Sequence, residues 1–343
     1  MSKIHFIQIR YWLLATLLVF LASCVVDVEP YDNSKLGNFE ALWKIVDEHY
    51  CFFEYKDIDW NRIHAKYAGK IQEDMNNVAL FDTLNLMLQE LKDGHVNLYS
   101  YWDLGRYWKW FEDYPANFDA DLLFKANYLG TNYRIAGSAR YTILSDSIGY
   151  MYYGSFSGAL SENNLDYILA GFSKCPGIIL DVRENGGGYL SNSEALASRF
   201  ADEKTLTGYI QHKTGKGHND FSELFPKYIE PSSRIQYLKP VVVLTNRKCF
   251  SATNDFVNAV RNFPNVTILG DRTGGGSGLP FSSELPNGWA VRFSACPMFN
   301  ANKEHIEFGI DPDVHVDLLP EDVKNGYDTL IEAARKLLLK VEF

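Results

Sequence analysis

Along residues 38–91, apolar side chains recur at three- and four-residue spacing, the period of helices that bury one face. Phe39, Leu42, Trp43, Val46 and Tyr50 form one such stripe, with Asn38 as its expected N-cap. Trp60, Ile63 and Tyr67 form a second behind Asp59, also an expected cap; Phe81, Leu84, Leu88 and Leu91 mark a third, from about Val78 to Lys92. Gly94 stands where a helix-ending glycine belongs, and His95 follows it directly. Residues 100–140 crowd Trp102, Tyr107, Trp108, Trp110 and Phe111 together without a clear period. From Ile148 onward, short apolar runs alternate with helical stripes. Strands are expected at Gly149–Tyr153, Gly177–Val182, Val241–Thr245 and Val266–Leu269, with helices at Glu162–Phe172, Ser193–Phe200 and Ala252–Asn262. Asn287-Gly288 is a hairpin turn signal before a strand over Trp289–Ser294, and Tyr327–Lys340 reads as a closing helix. Uninterrupted apolar strands between helices predict a mainly parallel sheet covered on both faces, an α/β architecture behind a helical N-terminal segment.

The start of the chain carries a different signal. Lys3 and Arg10 precede a short apolar run over Tyr11–Ala22, which ends in Leu21-Ala22-Ser23-Cys24. The run is short for a membrane span and fits a signal-peptide core. The last four residues resemble a bacterial lipobox, which would make Cys24 a lipid-bearing first residue and the polar stretch from Asp27 to Asn38 a tether. The other four cysteines, Cys51, Cys175, Cys249 and Cys296, match no zinc spacing and read as small core residues.

With 46% hydrophobic and 22% charged residues, the chain can form a large core. A formal net charge of −10 and no Lys/Arg run argue against nucleic acid as a partner. The scattered histidines include no H-E-x-x-H or other ligand spacing, so neither a metal nor an organic cofactor is expected.

Four places could carry chemistry. Asp181-Val-Arg-Glu-Asn-Gly-Gly-Gly188 ends a buried strand, where parallel sheets gather their sites and glycines free backbone N–H groups. Taken alone it is an ordinary glycine-rich turn. Ser251 lies between a buried strand and an amphipathic helix; a serine there is normally an N-cap, but the helix start also favours developing negative charge. His95, just after a helix, could satisfy helix-end carbonyls or act as a base of near-neutral pKa. The segment Glu304–Asp313 is acidic, and solvated carboxylates are its plain reading.

Taken together, these segments resemble the C-terminal processing and tricorn-type serine peptidases. Asp181–Gly188 is similar to that family's D-x-R-x-N-x-G-G, and Asn246–Ala252 resembles its N-x-x-x-x-S-A with the catalytic serine. Gly270-Asp-Arg-Thr-Gly274, Gly309-Ile-Asp-Pro-Asp313 and Leu91-Lys-Asp-Gly-His95 resemble G-x-x-T-x-G, G-[IV]-x-P-D and the tricorn-like L-x-D-x-H, in the family's order. The resemblance implies a crotonase/ClpP-like catalytic fold, Ser251 as nucleophile and His95 as general base. It also implies an oxyanion hole from the N–H of Ala252 and a glycine, Gly188 before Gly187. A supporting carboxylate is expected at Glu307, with Glu304 second. Two departures stand out. The processing peptidases' lysine base in T-x-G-K-G is absent from Thr273–Gly278, which leaves Lys248 as the only displaced candidate, and residues 100–140 are too few for a PDZ domain.

The expected organisation is a signal peptide over residues 1–23, a lipidated tether over 24–37, a helical subdomain over 38–99, an aromatic connecting region over 100–147 and a catalytic domain over 148–343. The expected function is a serine peptidase acting on proteins or peptides outside the cytoplasm, anchored to the cell envelope through Cys24. A non-catalytic ligand-binding protein on the same fold and a small-ester acyl hydrolase are the alternatives.

Overall fold

The computed structural model describes residues 31–340, so residues 1–23 and the lipidation candidate Cys24 lie outside the described residues. Three helices open the described chain: α1 (Lys35–His49), α2 (Trp60–Ala68) and α3 (Asn77–Gln89). The α1 helix starts before the expected cap. Ser34 accepts the Gly37 N–H at 2.9 Å, while Asn38 is buried and accepts the Asn287 N–H at 3.0 Å, tying the late hairpin turn to the first helix. A serine hydroxyl close to the chain outcompetes the asparagine because the latter is needed for the tertiary contact. Asp59 caps α2 as expected, accepting the Arg62 N–H at 2.9 Å. Gly94 does not end α3. The helix stops at Gln89 and Lys92 takes the left-handed conformation, with φ 47°.

The aromatic segment holds β1 (Asn97–Tyr99), β2 (Leu104–Arg106), α4 (Lys109–Glu112), α5 (Ala120–Leu123) and β3 (Arg134–Ala136). Then follow β4 (Ala139–Ile143), β5 (Gly149–Tyr152), α6 (Glu162–Gly171), β6 (Ile178–Asp181), α7 (Leu190–Ala197), β7 (Thr205–Ile210) and β8 (Phe225–Ile229). The rest comprises β9 (Val241–Thr245), α8 (Ala252–Val260), β10 (Val266–Gly270), β11 (Leu279–Glu284), β12 (Ala290–Cys296), β13 (Met298–Asn300), β14 (Val314–His315), α9 (Pro320–Lys324) and α10 (Thr329–Leu339).

Seven strands form the central sheet, in the order β14-β10-β9-β6-β5-β4-β3. The five from β14 to β5 run parallel, and β4 and β3 add antiparallel edges. The sheet therefore reaches back to Arg134, into the segment that the sequence pattern reads as a connection. Outermost β3 is three residues long and largely exposed, with no alternation, and β4 alternates over only five residues, too short a run to stand out from the irregular segment before it. On one face, α6, α7 and α8 place Leu165, Leu169, Leu196, Phe256 and Val260 against Leu180, Val243 and Ile268. On the other, α10 sets Leu330 and Ile331 against Ile179, Val242 and Leu244. Both faces of β9 are thus covered, which is why Val-Val-Val-Leu-Thr is apolar without alternation.

The N-terminal helices do not form a core alone. Phe39, Leu42, Leu84 and Leu88 pack against Leu285, Trp289, Val291 and Phe293 of the β11–β12 hairpin. That hairpin pairs with β1 and β2 in a four-stranded antiparallel sheet. This second core brings the segment just after α3 against the carboxyl ends of the central strands.

Candidate active site

The β9 strand ends at Thr245, and after five intervening residues the chain reaches Ser251 and enters α8. Ser251 has φ 58° and ψ −121°, a conformation that costs a non-glycine residue about 1–3 kcal/mol and persists only when its surroundings enforce it. They do so here. The Phe250 N–H donates to Asn185 O at 3.1 Å and the Ser251 N–H to Gly275 O at 2.9 Å. The side chain makes no capping bond to α8. Its Oγ lies 3.0 Å from His95 Nε2 instead. The ordinary N-cap reading of this serine is not realised.

His95 is buried and stacks obliquely on Phe250, with ring centroids 4.8 Å apart. Burial lowers its pKa to about 4, with Arg292 and Lys56 adding to the effect and Asp93 opposing it. The imidazole is therefore neutral at neutral pH and can accept a proton. Its Nδ1 faces Ser294 Oγ at 3.5 Å, and the Ser294 hydroxyl, beside the Asp93 carboxylate, helps to lower that carboxylate's pKa. Asp93 accepts the His95 backbone N–H at 2.8 Å and the Tyr50 hydroxyl at 3.0 Å. Gly94 is needed for room: a Cβ there would lie 2.7 Å from Trp110 Nε1 and 2.8 Å from Phe250 Cζ.

Glu307, the carboxylate expected beside the imidazole, is buried in the same region but bonded elsewhere. Its Oε1 accepts from Lys56 Nζ at 2.8 Å and its Oε2 from the Ser277 N–H at 2.8 Å. Lys56 Nζ also lies 3.3 Å from Asp93 Oδ2. A chain of polar groups thus runs from Ser251 through His95, Ser294, Asp93 and Lys56 to Glu307. Burial pushes the Glu307 carboxyl up to about 7 against the pull of Lys56. Lys56 is held above the usual lysine value because Asp93 and Glu307 together outweigh its desolvation. Glu304, the second choice, bonds the Asn300 side chain at 2.8 Å on the surface.

Lys248 is not near the serine hydroxyl in function: its Nζ pairs with Glu184 Oε2 at 2.7 Å in a half-exposed position. Nor could position 276 hold the processing peptidases' lysine. Gly276 has φ 76°, and a Cβ there would lie 2.3 Å from the Phe250 ring.

The glycine-rich turn after β6 faces Ser251. Asn185 organises it: its Oδ1 accepts from the Gly187 N–H at 3.0 Å, the Phe156 N–H at 3.2 Å and the Thr253 hydroxyl at 2.7 Å. A Cβ on Gly187, at φ 96°, would lie 2.8 Å from Ser251 Cβ, so only glycine permits this approach. The Gly187 N–H is already engaged by Asn185. The bridge between Phe156 and Gly188 is closed by the Tyr189 N–H on Phe156 O, which does not use the Gly188 N–H. Ala252 is the first residue of α8, and its N–H has no acceptor within the helix. The Asp and Arg of the same motif serve the fold: Arg183 bonds Asp181 and Asp328 in a fully buried network.

Ser251, His95 and Gly186–Gly188 line a cleft of about 510 Å³, walled by Tyr99, Trp108, Trp110 and Phe250. The aromatic segment without a readable period therefore builds one wall of the site. Lys56, Ser294 and the role of Asp93 escape sequence reading. Asp93 was visible as the third residue of Leu91–His95, but a lone lysine at 56 carries no signal at all.

Residues 147–316 match the profile of peptidase family S41, and residues 31–89 match that of the tricorn protease C1 domain. A crystal structure from Parabacteroides merdae ATCC 43184, described only as a candidate peptidase, is 58% identical with a TM-score of 0.86, covering 90% of this chain and 98% of that one. Mature CPAF complexed with lactacystin shares the fold at 13% identity, with a TM-score of 0.70 over 90% of this chain and 98% of that one. Carboxy-terminal processing protease CtpA of Bacillus subtilis is 26% identical over 184 residues, 53% of this chain and 37% of the relative. The chain spans only 22% and 20% of the length of two chlamydial relatives.

Proposed function

Because this chain belongs to peptidase family S41, a serine-type hydrolase family, we propose that it cleaves proteins or peptides through an acyl-enzyme on Ser251, with His95 as general base. The observation that carries this reading is the 3.0 Å approach of Ser251 Oγ to a buried imidazole, from a strained backbone that caps nothing. A ligand-binding relative would need neither. In the forward step Ser251 Oγ attacks the scissile carbonyl carbon while its proton passes to His95 Nε2. The tetrahedral oxyanion is received by the N–H groups of Gly188 and Ala252. His95 then gives the proton to the departing amine, and water, deprotonated by the same nitrogen, releases the acyl group and restores Ser251. Ser294 fixes the tautomer by accepting from His95 Nδ1 and donating to Asp93. Glu307 is a positioning residue, acting through Lys56 and Asp93.

A fluorophosphonate probe should label wild-type protein and leave Ser251→Ala unlabelled. Equal labelling of both would place the nucleophile elsewhere and end this reading.

The pH profile follows from the pKa shifts. A base works in its neutral form, so activity is present above the folded-state pKa of His95 and lost below it. With that pKa depressed to about 4, kcat/KM should fall through about pH 4 and not through the ordinary histidine range. Glu307, raised to about 7, adds negative charge behind the imidazolium only above that pH and should give a shallow rise near neutrality. Glu307→Gln should remove the shallow rise and keep the acid limb. An acid limb at about 6.5 in the wild type would mean that His95 is not desolvated as described.

We also propose export and lipid anchoring through Cys24, on the basic start, the apolar run and Leu21–Cys24. Two or more acyl chains hold a protein stably where one does not. A fatty-acid analogue fed to producing cells should label the wild type and not Cys24→Ala; an unlabelled wild type would dispose of the anchor.

A further inference from the structure

Three polar residues from three different strands line the cleft in one row. In the sheet register, Asn97 of β1 is paired with Arg292 of β12 on one side and with Arg106 of β2 on the other. Residues paired directly across antiparallel strands point to the same face, and all three line the cleft that holds Ser251. Asn97, the middle of the row, is two residues from His95, the proposed base.

The charge in this cleft opposes that of the chain. The formal net charge is −10, yet no Asp or Glu is among the cleft-lining residues, and its formal charges are these two guanidiniums. Neither has a carboxylate partner among the described residues. Arg106 lies over the Trp108 ring at 4.7 Å, and Arg292 acts on His95 through space. The two arginines stand two interstrand spacings apart, about 4.8 Å each, across a short asparagine whose Oδ1 accepts the Tyr99 hydroxyl at 3.4 Å. Like charges in one register repel, and an anion between them relieves that repulsion. A guanidinium offers a planar fork that fits a carboxylate.

We propose that Arg106, Asn97 and Arg292 form a subsite for a carboxylate of the polypeptide substrate, close to the scissile bond. This deepens the peptidase reading and rests on it. The group recognised is either an Asp or Glu side chain or the terminal α-carboxylate, the two anions that an unmodified polypeptide offers. Asn97 supplies a neutral amide donor between the two cations, and Trp108 holds the Arg106 guanidinium flat at the rim.

The test uses the full chain and two arms of matched fluorogenic peptides. One arm exchanges Glu for Gln at each position flanking the cleaved bond, and the other exchanges a free for an amidated C-terminus. Wild type should favour the carboxylate form by about tenfold to a hundredfold in kcat/KM in one arm, as charge-assisted hydrogen bonds of this kind imply. The arm in which the preference appears identifies the source. Arg106→Gln, which does not touch His95, should collapse that ratio towards one, as should Arg292→Gln. Using a ratio cancels the change in His95 basicity that loss of Arg292 brings. In parallel, binding of the same peptides, fluorescently labelled, to Ser251→Ala is followed by anisotropy at low and high salt. Carboxylate-dependent, salt-sensitive binding without any turnover by wild type would keep the subsite and overturn the peptidase reading. Turnover with ratios near one in both arms would keep the peptidase and overturn the subsite. Neither turnover nor carboxylate-dependent binding would overturn both.

Discussion

Ser251→Ala is expected to lower kcat on the order of 10⁵–10⁶-fold, and His95→Ala nearly as much, because a nucleophile and its base act as a unit. The double variant should be no worse than either alone. Removing Oγ takes away the attacking atom; removing the imidazole leaves a hydroxyl with no acceptor for its proton at 3.0 Å. Folding should survive in Ser251→Ala, since the side chain caps no helix and the backbone strain is enforced by the bonds of Phe250 and Ser251 to Asn185 and Gly275. The measurement is single-turnover hydrolysis of a peptide ester together with a thermal unfolding curve. Retention of kcat within about tenfold in His95→Ala, a deficit too small for a general base, would remove the histidine from the mechanism. The ion pair of Lys248 with Glu184 gives no ground for a lysine in its place.

The second large effect concerns stability. Lys56→Met should cost about 3–5 kcal/mol at mildly alkaline pH, because it leaves Asp93 and Glu307 buried without their shared cation. Both carboxylates would then have folded-state pKa values above those of the unfolded chain. A group raised in this way contributes stability below its unfolded pKa and loses it as pH rises through the folded value. The variant should therefore recover on acidification, towards pH 5, where the native state takes up a proton that the unfolded chain does not hold as tightly. Adding Glu307→Gln to Lys56→Met should restore part of the loss even at alkaline pH, and the coupling in the double-mutant cycle should fall in the range of about 0.5–3 kcal/mol. Urea unfolding followed by tryptophan fluorescence measures all three variants. A Lys56→Met protein within about 0.5 kcal/mol of wild type, the scatter of ordinary surface changes, would show that the network carries no buried charge.

The elements that lie within one stretch of chain were legible from the sequence. Val241–Thr245 is apolar without a break because both its faces are covered, and the amphipathic stripe that follows places Ser251 at a strand-to-helix junction. The repeated stripes before Leu91 place His95 at the end of a helical segment. Glycines at 186–188 signalled a sharp turn with free backbone N–H groups at the end of a buried strand, and the order and spacing of the five motifs supplied the family. Local periodicity and turn chemistry carry this information because they depend on neighbours a few residues away.

Tertiary structure alone decided what surrounds the imidazole and what lines the cleft. A lysine read in isolation is a solvated surface residue; Lys56 becomes a buried cation because the Tyr50, Phe52 and Phe308 rings and the carboxylates of Asp93 and Glu307 close around it. Glu307 was expected against His95 from its place in the chain, yet its carboxylate is taken by Lys56 and the Ser277 N–H, and Ser294 and Asp93 stand behind the imidazole instead. The arginine row is likewise invisible in sequence, since Arg106 and Arg292 meet at Asn97 only through the register of β1 between β2 and β12. Sequence fixes which segments become strands and helices through local preference and burial pattern. Which charges end up facing one another depends on contacts between segments as far apart as Lys56 and Glu307, 251 residues along the chain, and no local pattern encodes them.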